Sequence, residues 1–99
     1  SMENAKRDIT QSLLVEARVD ANRSIIELDS ALKQDADLLL EGEWRRIERQ
    51  VSVLRNAIDG DDRDYIDAEL QELGRIAQNF AERRMDRAIN SALKGTKIS

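Results

Sequence analysis

The chain has 99 residues but no proline, no cysteine and no histidine, and only four glycines. Each absence removes a class of explanation. Without cysteine or histidine there is no disulfide, no thiolate or imidazole metal site, no thiol nucleophile and no imidazole base, which discards most hydrolase and zinc designs. Aromatics are nearly as scarce: Trp44, Tyr65 and Phe80 are the whole set, too few for the stacking groove of a single-stranded nucleic-acid binder. No apolar run approaches the ~20 residues of a membrane span, and no signal-peptide pattern opens the chain. A net charge of −4 leaves no dominant basic surface, so neither nucleic acid nor a membrane is an expected partner. A Gly-rich phosphate loop is missing too, and no carboxylate pair stands apart from the solvated faces. The expectation is a chain with no catalytic site of its own, and with no cofactor-binding or metal-binding residues.

What remains is a mixture rich in Leu, Ile, Ala, Glu and Arg, 40% hydrophobic and 36% charged, which favours long amphipathic helices over strands or disorder. The first glycine is Gly42. Before it Ile9, Leu13, Leu14, Ala17, Ala21, Ile25, Leu28 and Leu32 recur at steps of three and four, the spacing of one helical stripe. A helix over roughly Glu3 to Gln34 is about 48 Å long at ~1.5 Å per residue, whereas a compact domain of ~100 residues has a radius of gyration near 13 Å. The stripe therefore continues past what the rest of the chain can cover. An acidic connection from Asp35 to Gly42 is expected to tuck Leu38, Leu39 and Leu40 under the bundle. A second helix over about Glu43 to Ile58 carries Trp44, Ile47, Val51, Leu54 and Ile58 on one face, and Gly60 suits a left-handed stop. Asp61 or Asp62 then caps a third helix. Its stripe of Ile66, Leu70, Leu73, Ala77 and Phe80 is extended by Met85, Ala88, Ile89 and Leu93. Gly74 inside it marks either a close crossing or a break into two helices. The fold class predicted is all-α: a long N-terminal helix (1–34), then a small antiparallel bundle of three to four helices (35–95), with 96–99 frayed.

Three local signals invite chemistry. The turn Asp59 to Asp64 has the acidity of a calcium loop, but an EF-hand starting at Asp59 needs glycine sixth and glutamate twelfth, where Asp64 and Leu70 stand, so a helix stop and N-cap explain it better. Arg83, Arg84 and Arg87 make the tail basic, yet Glu82 and Asp86 are interleaved, which favours a solvated face over a phosphate site. Trp44 is in register with Ile47 and Val51, so it is assigned to the core rather than to a binding anchor, and Met85 is assigned to core filling.

The run from Phe80 to Gly95 contains Arg83, Arg84, Met85 and Asp86, followed by Ala92, Leu93, Lys94 and Gly95. It resembles the C-terminal element of the HscA family, DnaK-type chaperones specialised for iron–sulfur cluster assembly. Ala5 to Ile9 and Leu14 to Arg23 are similar to the start of that family's helical lid. Ala31 and Leu32, the acidic segment through Leu39, and Gly60 to Asp62 fall at matching intervals, so the resemblance covers essentially the whole chain.

The resemblance implies the α-helical lid of a cytoplasmic chaperone's substrate-binding part, which closes over a peptide of the cluster scaffold. Its implied partners are the β-sandwich of the same full-length chain, an IscU-like scaffold and an HscB-like J-protein. ATP and magnesium would belong to a domain absent from this sequence. Ile9, Leu13, Leu14 and Ala17 become candidates for contact with the sandwich or with another copy. Asp20, Arg23 and Glu27 lie in the stretch where related lids latch to the sandwich, although they read equally as solvated charges. The excised lid is expected to self-associate through helix one. A free-standing helical adaptor or coiled-coil module is the alternative reading.

Overall fold

A computed structural model describes residues 1–95, and among them there are three α-helices and no strand. Helix α1 spans Met2–Gln34, a single 3-10 turn covers Ala36–Leu38, α2 spans Glu43–Ile58 and α3 spans Arg63–Gly95. The tail expected to fray, 96–99, lies outside the described residues. The all-helical prediction holds with three helices rather than four.

Each helix end has a local cause. Ser1 accepts a hydrogen bond from the Asn4 amide at the start of α1, and Asp62 does the same for Tyr65 at the start of α3, the N-cap role expected of it. The expected left-handed glycine is in a different place. Gly60 does not adopt positive φ; among the described residues Gly42 alone does, at 79°, just ahead of α2. Helix α2 stops by other means. The Asp59 and Gly60 amides donate to the Arg55 and Ala57 carbonyls, and Arg18 reaches across from α1 to donate to the carbonyls of Ile58 and Gly60 at 3.1 and 2.7 Å. One side chain thus satisfies carbonyls that a helix end leaves orphaned.

Gly74 marks neither a crossing nor a break. Helix α3 runs through it unbroken, and a Cβ there would meet nothing within 4 Å. The two glycines should therefore respond oppositely to alanine. Gly42→Ala forces a left-handed Cβ and is expected to cost about 1–2 kcal/mol. Gly74→Ala should stabilise by about 0.5–1 kcal/mol, as an open helix-interior site. Urea unfolding of the two variants checks both signs.

The helices run up, down and up. Arg18 of α1 meets the end of α2, while Gln34 and Asp35 at the end of α1 meet Arg84 far along α3. The core consists of Leu14, Ala17, Ala21, Ile25, Ala31 and Leu32 from α1, Ile47, Leu54 and Ala57 from α2, and Ile66, Leu73 and Phe80 from α3. Gln50, buried on α2, donates to both the Glu69 carbonyl and carboxylate of α3, so its amide is satisfied inside the core.

Helix α2 has 16 residues and the other two have 33 each. At ~1.5 Å per residue the shortest helix is roughly 24 Å long against about 50 Å for its neighbours. Its length sets the length of the core, and both long helices project beyond it at opposite ends. The molecule measures 69 × 33 × 17 Å with a radius of gyration of 18.0 Å, well above the ~13 Å of a compact chain this size. The overhang expected of α1 is present, since residues 1–13 are exposed. A second, at the end of α3, was not expected. Met85 is 65% exposed and Ile89 51%, so the apolar extension of the third stripe is not core, and the assignment of Met85 to core filling is corrected. Trp44 is also corrected: it stands at the mouth of a groove between α1 and α2, 42% exposed. Of the three connector leucines, Leu38 and Leu39 pack against the core but Leu40 is exposed.

Candidate interaction surface

The three arginines of the α3 tail are neither a phosphate site nor a solvated face; they form a clamp. Arg83 donates to the Leu38 carbonyl at 2.8 Å and pairs with the Glu43 carboxylate. Arg84 donates to Asp35 at 2.7 Å and to the Gln34 side chain at 3.1 Å. Arg87 bridges Asp35 and Asp37. The other end of the clamp is the acidic connector with Glu43, so two of the stretches that carry the family resemblance hold each other. Glu43 is only 3% exposed. Burial pushes its carboxyl up, but hydrogen bonds from Arg83 and the Leu40 amide outweigh that and hold it below the usual glutamate range. The Arg84 hydrogen bond, aided by Arg87, lowers Asp35, and the Arg87 hydrogen bond lowers Asp37. Asp37 and then Asp35 raise Arg87 in return. The clamp fixes the register of α3 against the end of α1, and so fixes which faces of α1 stay uncovered.

The sequence-predicted contact residues divide along α1, the outer pair exposed and the inner pair covered. Ile9 and Leu13 are exposed. Leu14 and Ala17 are buried in the chain's own core, and the turn Asp61–Asp64 reaches back to the level of Leu13 and Leu14. The latch candidates are exposed as well. Arg23 lies 3.9 Å from Asp20 on the same helix, and Glu27 borders a groove between α1 and α3 lined by Leu28, Ala31, Leu73 and Ala77. They share a side of α1 but do not converge on one point.

Sequence reasoning passed over another face. Val15, Val19 and Ile26 are exposed on the side of α1 turned away from the bundle. Their spacing of four and seven is itself a helical stripe, legible in the sequence but overshadowed by the longer buried one. The Asp59–Asp64 turn acts as helix stop and cap, and among the described residues no cluster of three metal-ligating side chains is present. No described helix is long and apolar enough to cross a membrane.

These features define an all-helical module whose long amphipathic first helix leaves part of its apolar surface exposed. No protein-family model matches the chain. Curated proteins do: it is 42% identical over 98 residues to the chaperone protein HscA homolog of Shewanella woodyi, and 40% identical over the same length to the HscA chaperones of Photorhabdus laumondii and Proteus mirabilis. In each case the match covers 99% of this chain. The chain is thus similar over 98 of its 99 residues to HscA chaperones, and it spans 16% of their length.

Proposed function

We propose that this chain is the helical lid of the substrate-binding part of an HscA-type, ATP-dependent chaperone for iron–sulfur protein maturation. The observation that carries the reading is the relationship itself, about 40% identity along 99% of the chain. The uncovered N-terminal portion of α1 supports it physically, because a lid helix needs a face its own bundle leaves free. In this reading residues 1–34 cross the β-sandwich of the same full-length chain and 35–95 anchor the far end. The client is a peptide segment of an IscU-like scaffold, and an HscB-like J-protein stimulates the cycle. ATP and magnesium act in a domain outside this sequence, in the cytoplasm. The lid works by kinetics: closure lengthens residence of the peptide, and ATP-driven opening shortens it.

The test is a chimera in which this chain replaces the matched segment of Proteus mirabilis HscA. Release of a fluorescent scaffold-derived peptide should stay slow in the chimera without ATP, and should speed by about tenfold or more when the segment is deleted. A chimera that releases as fast as the deletion would sink the lid reading and favour a free-standing adaptor.

A further inference from the structure

We propose that the outer face of α1 is a docking surface for a second copy of this chain, the two α1 helices lying antiparallel. The face is a short seam of Val15, Val19, Asn22 and Ile26, spaced four, three and four. At ~100° per residue these four fall within an arc of about 60°. All are exposed. The buried stripe of Leu14, Ala17, Ala21 and Ile25 is centred about 125° round the helix, and the seam residues stay exposed beside it. Alternating steps of four and three are the spacing of a coiled-coil contact.

The identity of the occupant follows from the charges. When α1 is laid antiparallel on itself with Val19 opposite the second copy's Asn22, Val15 falls opposite Ile26, and the two-fold axis repeats both pairs. In that register Asp8 falls opposite Lys33 at each end of the seam. Glu16 and Arg23 occupy the same flank, so Glu16 of each copy meets Arg23 of the other. The helix is thus self-complementary in four ion pairs and four apolar or mixed layers. A parallel pairing lacks this match and sets Arg23 against the second copy's Arg18. The within-helix partners Asp20 for Arg23 and Asp29 for Lys33 are 3.9 and 3.4 Å away on exposed side chains, too weakly held to prevent the exchange.

The polar residues Ser12 and Asp29 interrupt the seam on either side, so the contact is small. Interfaces below ~1,200 Å² are weak, which places half-dissociation on the order of 100 µM. This face is separate from the Ile9 and Leu13 side, and the inference stands whether or not the lid reading does.

Sedimentation equilibrium of the 99-residue chain tests it. The weight-average mass should rise from 11.3 kDa toward twice that value between about 10 µM and about 1 mM. Val19→Glu and, independently, Ile26→Lys should keep the chain monomeric while circular dichroism shows unchanged helix content. Glu16→Lys or Arg23→Glu alone should weaken the dimer by about 3- to 10-fold, and the double variant should restore it. A chain monomeric throughout, a dimer that survives both seam variants, or a double variant no better than the singles overturns the proposal.

Discussion

Arg83→Met is expected to lower the stability of the chain by about 2–4 kcal/mol, a large share of the ~5–15 kcal/mol that holds a small domain together. Glu43 is 3% exposed and its partner Arg83 has 25% of its side chain in water. Removing one partner of a buried pair leaves the other charge uncompensated, at about 3–5 kcal/mol when both are fully buried. The partial exposure of Arg83 sets the figure somewhat lower. Methionine keeps the aliphatic bulk, so the loss reports on the charge and on the Leu38 carbonyl, whose donor disappears with it. Arg87, 40% exposed, should matter less.

The pH dependence has a definite sign. Glu43, Asp35 and Asp37 have lowered carboxyl pKa values in the folded chain. Their stabilisation is therefore complete above the unfolded values of 3.8 for aspartate and 4.5 for glutamate, and is lost as pH falls through the lower folded ones. Urea midpoints of wild type and Arg83→Met should thus converge as pH drops from about 7 to about 3. A constant gap across that range would mean that the variant acts through packing and not through the clamp.

The clamp also shows where sequence reading stops. Helical periodicity identifies the residues that share a face, and on that basis the stripe of α2 and the first half of α3 were legible, as were the Asp62 cap and the breaks around Gly42 and Gly60. It does not say whether anything stands opposite. Met85 and Ile89 lie about 100–140° round α3 from the stripe of Ile66, Leu73 and Phe80, so they face water while Arg83, Arg84 and Arg87 take the stripe's next positions. Trp44 sits near the start of α2. Arg83, Arg84 and Arg87 looked solvated because their partners lie 40 to 52 residues away, and no local pattern encodes such a pairing. Leu14 and Ala17 are the converse case: named as contacts for another body, they are buried in the chain's own core, with the α2–α3 turn at the level of Leu14. The acidic connector and the arginine tail were each visible as charge. Their conjunction needed the length of α2 to bring them to the same level.

Phe80→Ala should cost about 3–5 kcal/mol, while Met85→Ala, five residues further along the same helix, should change stability by less than about 0.5 kcal/mol. Their side chains are of comparable size, but at ~100° per residue Met85 points about 140° round the helix from Phe80. Phe80 is 1% exposed and lines the α1–α3 groove with Leu73, Ala77 and Ala31. Truncating it removes the largest fully buried side chain and opens a cavity that rigid helix backbones cannot close. The α1–α3 groove alongside admits some relaxation, which favours the lower half of the range. Met85 already faces solvent. Urea unfolding with an unchanged m-value would attribute each difference to the folded state. Comparable losses at both positions would contradict the description of Phe80 as core and Met85 as outside it.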